Sequence, residues 1–230
     1  MFANFDFDVI RRALPYLFFE GMRFTLTLTA LSAFGGLVFG TLIALMRLSG
    51  YRLLGRIAGL YVDFMRSLPL VLVIFWFYFL VPYIGQWLTG ASRPIQVGAY
   101  ASSLITFIMF EAAYFSEIMR AGIQSISRGQ PAAAQALGLT YSQTMRYVVL
   151  PQAFRNMLPV LLTQTIVLFQ DTSLVYVVSI PDFLGAASIV AQRDGRLVEM
   201  YLFAALVYFV ICSCASFAVR QLQSRIAVMR

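Results

Sequence analysis

Long apolar runs separated by short polar segments dominate the pattern of the chain. Five of these runs approach or exceed the roughly 20 residues that an α-helix needs to cross the hydrocarbon core of a bilayer. The runs cover residues 24–46, about 67–88, about 95–119, about 157–180 and about 200–219. The sequence therefore predicts an all-α integral membrane protein with five transmembrane helices.

Residues 1–23 precede the first apolar run and differ from it in character. Acidic side chains come before the basic pair Arg11 and Arg12, and Glu20 interrupts the apolar stretch that follows. These charges argue against a cleavable signal peptide and favour a short amphipathic helix that lies on the membrane. We therefore divide the chain into an N-terminal amphipathic segment, residues 1–23, and a transmembrane domain, residues 24–230.

Composition supports the membrane interpretation and removes several kinds of chemistry. The chain is 60% hydrophobic and 12% charged, whereas soluble domains carry about 25% charged residues. Histidine is absent and all 17 basic residues are arginine. Without lysine the chain has no phosphate-binding loop of the Walker A type, and without histidine it lacks the commonest metal ligand. We expect no catalytic residue, metal, cofactor or nucleic-acid partner.

The arginines also predict how the five helices are oriented. The connection between spans one and two, the connection between spans three and four, and the C-terminal tail together hold eleven of the 17 arginines, among them Arg230. Positively charged connections stay in the cytoplasm. The N-terminus is therefore expected outside and the C-terminus in the cytoplasm, and membrane lipid explains the net charge of +7 better than nucleic acid does.

The polar connection between the third and fourth runs carries signals for two helices with a break between them. Pro131 suits the first turn of a helix, residues 132–137 favour helix, and Gly138 suits a C-terminal cap. Thr140 and Gln143 then form a possible capping box for a second helix. Such a projection on the cytoplasmic face could bind another protein.

The same connection resembles the signature loop of ABC importer permeases. Ala132-Ala133-Ala134, then Gly138, then Val-Val-Leu-Pro at 148–151 match the family pattern Glu-Ala-Ala, Gly, Ile-x-Leu-Pro, with alanine in place of the usual glutamate at its first position. The resemblance implies a coupling helix at about 129–140 that sits in a cleft of an ATP-binding subunit. It assigns this coupling role to Pro131, Ala132, Ala133, Ala134, Gly138, Leu150 and Pro151.

Three further segments, residues 64–70, 110–130 and 150–177, resemble the polar amino acid permeases within that family, most closely those of glutamate/aspartate importers. The resemblance implies a type I ABC importer permease fold in the bacterial inner membrane. It also implies a dimer of ATP-binding subunits, a periplasmic amino-acid-binding protein and a second permease subunit. We expect that second subunit to be a paralogue, and a homodimer remains open.

Acidic side chains inside the apolar runs indicate either a functional site or an ion pair with another side chain. A charged group within a bilayer costs at least a few kcal/mol unless it is paired or faces water. Glu111, Glu117 and Asp171 lie in such positions. Glu117 and Arg120 are three residues apart on a helix, so we expect an ion pair between them.

The fourth run carries the densest polar cluster in the chain. Gln164 and Asp171 lie seven residues apart and therefore on one helix face, and Thr165 and Thr172 repeat that spacing. Such a stripe favours a substrate path, although polar packing between helices is an open alternative. The candidate path residues are Gln164, Thr165, Gln170, Asp171, Thr172, Ser173 and Arg66.

This path suits an acidic or neutral polar amino acid, because Asp171 stands nearly alone there. Its ammonium group would lie near Asp171, its backbone carboxylate near the hydroxyls and its side-chain carboxylate near Arg66. The sequence thus predicts the permease subunit of an ATP-driven importer for polar amino acids, in particular acidic ones such as glutamate and aspartate. A glutamine-type permease, an ion-driven transporter or channel, and a membrane enzyme are the rival interpretations.

Overall fold

A computed structural model describes residues 5–95 and 97–226, and all of its regular elements are helical. Five helical segments are long and apolar enough to cross a membrane, which confirms the predicted number: Phe7–Leu48, Leu70–Thr89, Ala99–Gln124, Tyr141–Val178 and Leu197–Ile226. The first four residues of the N-terminal segment and Arg230 of the C-terminal tail lie outside the described ranges.

The helices follow one another in the order α1 Phe7–Tyr16, α2 Arg23–Leu48, α3 Arg52–Arg66, α4 Leu70–Phe75, α5 Val81–Thr89, α6 Ala99–Gln124, α7 Gly129–Ala136, α8 Tyr141–Thr144, α9 Leu150–Asp171, α10 Phe183–Asp194 and α11 Leu197–Ile226. Short π-helical turns join α1 to α2, α4 to α5 and α8 to α9. Each of these three pairs is therefore continuous.

The first span begins earlier than its apolar run. Asp6 caps the N-terminus of α1 by accepting hydrogen bonds from the backbone amides of Asp8 and Val9. Val9 and Ala13 are buried, and α1 contacts both α10 and α11. One side of this helix thus packs on the protein, and its position on the membrane surface stays a prediction.

The tightest helix contact lies between α2 and α6 and depends on glycine. A Cβ atom built on Gly36 would lie 2.8 Å from Cβ of Glu111, and one built on Gly40 would lie 2.9 Å from Cβ of Phe115. Distances below 3 Å are too short for carbon atoms in van der Waals contact. These two glycines, one helical turn apart, therefore allow the close helix contact.

The segment before the fifth span is helical, because residues 183–194 form α10. Asp182 caps this helix by accepting hydrogen bonds from the amides of Leu184 and Gly185. Burial raises the pKa of Asp182 to about 6, partly opposed by those two amides. The amide of Phe183 donates to the Thr25 hydroxyl at 3.0 Å, which ties α10 to α2.

The connection between α6 and α9, which we name the knuckle (residues 129–151), has the predicted helix, break and second helix. Gly138 has a φ of +85°, and the amide of Leu139 donates to the carbonyl of Ala134 across the end of α7. This is the hydrogen-bond pattern of a glycine-terminated helix. The capping box of Thr140 and Gln143 is also present.

Candidate functional site

A polar cluster in the middle of the membrane joins α6 to α9. The side-chain amide of Gln164 donates to Oε1 of Glu111 at 3.3 Å. Asp171 lies seven residues further along the same face of α9, about 10 Å along the helix axis. We name these three residues the Glu111 cluster. The structure therefore brings one predicted path residue, Gln164, into contact with a polar residue of another span, and Asp171 follows two turns along the same face of α9.

Glu111 is the most enclosed member of this cluster. Its relative exposure is 0%, and the close approach of α2 at Gly36 covers it on one side. Its Oε2 atom has no hydrogen-bond partner within the described parts of the chain. Gln164 and Asp171 are only half-buried, so any polar species reaching the cluster meets them first.

The remaining path residues divide between packing and a second groove. The hydroxyls of Thr165 and Thr172 donate to backbone carbonyls of their own helix, at 3.0 and 2.7 Å, and Ser173 is half-buried. Gln170 lies on a different side of α9, where it lines a groove of about 470 Å³ against α11 together with Ser213, Ser216 and Arg220. The predicted path residues therefore lie on two different faces of α9.

A second charged cluster lies one to two turns further along α6. Glu117 forms ion pairs with three arginines, Arg47 from α2, Arg66 from α3 and Arg120 from α6. The Arg120 guanidinium donates to both Glu117 oxygens, at 2.7 and 3.2 Å, which confirms the predicted local pair. We name these four residues the Glu117 cluster.

Arg66 lies in the Glu117 cluster. Its guanidinium is 3.8 Å from Glu117 and 5.3 Å from the centre of the Tyr114 ring. It also lines a cavity of about 380 Å³ with Ser125 and Asn156. Since Glu111 and Glu117 are six residues apart, roughly 9 Å along the helix axis, Arg66 lies nearer the knuckle end of α6 than Glu111 does.

The knuckle presents an apolar surface that nothing in the chain covers among the described residues. Leu137 is 82% exposed and Tyr141 is 72% exposed. Ala134 is buried where α7 packs on the turn Met145–Val149. Of the residues predicted to couple to an ATPase, Ala132, Ala133 and Gly138 lie on the exposed side.

Charges near the start of the fifth span lie at the end of α10. Arg193 and Asp194 form an exposed pair at 2.7 Å. The hydrogen bond from the Arg193 guanidinium holds the pKa of the Asp194 carboxyl below its usual range. These side chains are free to meet a charged partner surface.

Two features of the site were not assigned from the sequence. Glu111 was noted only as an acid in need of a partner, and its mid-span position was the available signal. The polar side of α11, with Ser213, Ser216 and Arg220, was missed, although its spacing of three and four residues is that of one helix face.

Comparison with known proteins identifies the class. Residues 36–228 match the family described as binding-protein-dependent transport system inner membrane component, and the chain belongs to that family. It is a membrane permease subunit of an ABC transporter, and a separate subunit hydrolyses the ATP. It lies in the inner membrane.

The chain is similar to permeases of two kinds of amino acid importer. The chain is 52% identical over 224 residues to the glutamate/aspartate import permease protein GltK of Escherichia coli O6:H1, covering 97% of this chain and 99% of that protein. It is 31% identical to the glutamine transport system permease protein GlnP of Escherichia coli strain K12, covering 98% and 100% of the two chains.

Solved structures give the same fold. The crystal structure of an amino acid ABC transporter with histidines matches with a TM-score of 0.86 and 32% identity, over 96% of this chain and 98% of that one. An inward-facing structure of the MetNI methionine transporter matches with a TM-score of 0.73 at 20% identity, which bears on the fold alone. The chain therefore has the type I ABC importer permease fold.

Proposed function

We propose that this chain imports glutamate and aspartate as the permease subunit of an ATP-driven transporter that receives its substrate from a periplasmic binding protein. The observation that carries the proposal is the 52% identity to a glutamate/aspartate import permease across nearly the full length of both chains. A glutamine permease is the second candidate, favoured by the 31% identity to a glutamine permease over an equally long match.

Uptake competition separates the two candidates. Cells lacking this permease, with and without the restored gene, are supplied with labelled L-glutamate and unlabelled competitors. We expect restored uptake to be abolished by excess aspartate and little affected by glutamine. Competition by glutamine alone would support the second candidate, and uptake that needs no ATP would contradict the importer mechanism.

The substrate path in this proposal runs along α9 past the Glu111 cluster and toward Arg66. Gln164 and Asp171 are half-buried and polar in mid-membrane, and Arg66 offers a guanidinium that is 43% exposed beside a cavity. Thr165, Thr172 and Ser173 stay assigned to this path, whereas Gln170 lines the separate groove against α11 and would contact a substrate only from that side. Asp171→Asn and Gln164→Ala should lower uptake of acidic amino acids at normal membrane levels. Unchanged uptake in both would refute this path.

Coupling to the ATPase is assigned to the knuckle. The exposed Leu137 and Tyr141 give an apolar contact for an ATP-binding subunit, as the coupling helix does in the family. ATP binding would draw α7 inward and favour the outward-facing state, and hydrolysis would reset the inward-facing one. This arrangement requires a cytoplasmic knuckle, hence an outer N-terminus and a cytoplasmic C-terminus.

Co-purification with the ATP-binding subunit tests the knuckle. Gly138→Pro removes the positive φ, and Leu137→Asp places a charge on the contact surface while leaving the backbone unchanged. Both should abolish co-purification. Ser127→Asp adds the same charge at an exposed position just before α7 and should leave it intact. Retention of the ATPase by Leu137→Asp would contradict the assignment.

The second permease subunit is assigned as a paralogue. A tagged copy should then purify with a different permease and without an untagged copy of itself. Recovery of the untagged copy would instead establish a homodimer.

The Arg193–Asp194 pair is assigned to the outer face, where the binding protein docks.

A further inference from the structure

The Glu111 carboxyl group lacks the partner that its position demands. A carboxylate withdrawn from water is normally balanced by a cation or by several hydrogen bonds. Glu111 has 0% exposure, and no arginine pairs with it in residues 5–95 and 97–226. Among the described residues, its hydrogen-bond donor is the Gln164 amide at 3.3 Å, longer than the usual 2.9–3.0 Å for an N–H donor.

The Gln164 amide is a weak and replaceable donor at this position. It offers one neutral N–H group to one carboxylate oxygen and leaves Oε2 without a partner. An alkylammonium group carries a positive charge and three N–H donors. Because charge-assisted hydrogen bonds are about twice as strong as neutral ones, an ammonium group would displace the amide and satisfy both oxygens of Glu111.

We propose that Glu111 binds the α-ammonium group of the transported amino acid when the Gln164 side chain swings aside, with Asp171 as the first carboxylate the substrate meets. This inference rests on the proposed function. It assigns the ammonium group to a residue of α6, whereas the sequence alone pointed to Asp171 of α9. An intramembrane acid without a cationic partner is in general a functional group.

The inference explains the amide at position 164. The amide occupies the donor side of Glu111 between transport events, so the carboxyl group is not left with both oxygens free. A lysine or arginine there would form a permanent pair and close the site. A neutral amide at the same place keeps the carboxyl group available for a cationic ligand.

The test exchanges the glutamate at position 111 and the glutamine at position 164, which are joined by a hydrogen bond. E111Q keeps size and hydrogen bonding but removes the charge, and E111Q/Q164E restores one carboxylate on the opposite helix. Initial rates of L-glutamate uptake are measured for the complete transporter in proteoliposomes, with liganded binding protein outside. We expect E111Q to lose about tenfold or more, because one charge-assisted hydrogen bond is lost. The double variant should regain most of that loss.

A second measurement addresses the ammonium group directly. Labelled L-glutamate is bound to the purified permease–ATPase complex without binding protein, and 2-hydroxyglutarate, which lacks the ammonium group, is the competitor. The original complex should favour glutamate, and E111Q should lose this preference. Equal preference in the two complexes would overturn the assignment of the ammonium group to Glu111.

Glu199→Gln serves as the matched control. Glu199 is also a buried glutamate of a membrane helix, but it is paired with Arg196 at 3.1 Å. We expect its uptake to stay within about twofold of the original, since it retains a hydrogen bond to that arginine. Uptake by E111Q equal to that of this control would show that the charge of Glu111 has no role in transport, and would overturn the inference.

The two proposals fail separately. If the unmodified transporter moves no acidic amino acid, the proposed substrate is wrong, and the same variants are compared with L-glutamine, which carries the same α-ammonium group. If the unmodified transporter moves its amino acid and E111Q does so equally well, only the role of Glu111 is wrong.

Discussion

Two glutamates on the same helix, six residues apart, meet opposite surroundings. Glu117 contacts three guanidinium groups, whereas Glu111 receives one long hydrogen bond from a neutral amide. Both side chains lie within the third span. The residue type and the helix are the same, so the difference comes from what α2, α3 and α9 place opposite each position.

The comparison separates a structural acid from a functional one. Ion pairs to arginines at the ends of α2 and α3 let Glu117 hold three helices together at the knuckle end of the bundle. Glu111 holds nothing together by charge, and its burial is costly without a ligand. An acid whose pairing is complete stabilises the fold, and one whose pairing is incomplete is available to a substrate.

Removal of the Glu117 carboxylate should have the largest effect on stability. Glu117→Ala leaves three neighbouring arginines without the carboxylate that they share, and breaking a buried pair costs about 3 kcal/mol. The melting temperature of the purified transporter and the membrane level of the permease should both fall. Glu117→Gln should fall less, because the amide oxygen still accepts from Arg120. Equal melting temperatures for Glu117→Ala and the original protein would contradict the stabilising role of Glu117.

Much of the fold that surrounds these acids follows from local sequence. The five apolar runs, the Gly36 and Gly40 contact and the Gly138 break each depend on residues a few positions apart, and hydrophobic length or backbone conformation decides them. Helix α10 does not follow in this way. It is short, and it is buried because α11 and the turn Leu17–Met22 pack on it, so only the tertiary structure reveals it.

The close approach of α2 predicts the next largest effect. Gly36→Ala places a methyl group against Glu111, and overpacking of this kind costs about 2 kcal/mol. Gly40→Ala does the same beside Phe115, so the two variants should melt at similarly lowered temperatures. Only Gly36→Ala should also disturb transport beyond its loss of protein, because it alone shifts Glu111. Equal specific uptake by the two variants would contradict that difference.

The partners of the acids could not be predicted from sequence. The Glu117–Arg120 pair was predictable because helix geometry places residues three apart side by side. Gln164 meets Glu111 across 53 positions, and Arg66 meets Glu117 across 51, so the folded arrangement of three helices decides both. The amphipathic pattern of α9 identifies a polar face but not the residue that it faces.

Within the Glu117 cluster, Arg47 and Arg66 should differ in how much they stabilise the fold. The side chain of Arg47 is 19% exposed and that of Arg66 is 43% exposed. Arg47→Gln should lower the stability by about 1 kcal/mol and Arg66→Gln by less than about 0.5 kcal/mol, because solvent screens the more exposed pair. Thermal melting of both variants in one detergent decides this. A larger loss for Arg66→Gln would reverse the ranking.

The smallest expected effect on stability belongs to Glu111, although its effect on transport is expected to be large. Glu111→Gln removes a charge that no cation balances and keeps an oxygen to accept from Gln164, so the free energy of unfolding should change by less than about 0.5 kcal/mol or rise. The melting temperature should therefore equal or exceed that of the original. Glu117→Gln is the matched control and should melt lower. A marked drop for Glu111→Gln would mean that its carboxylate already has a stabilising partner in the bundle, and the two acids would no longer differ in kind.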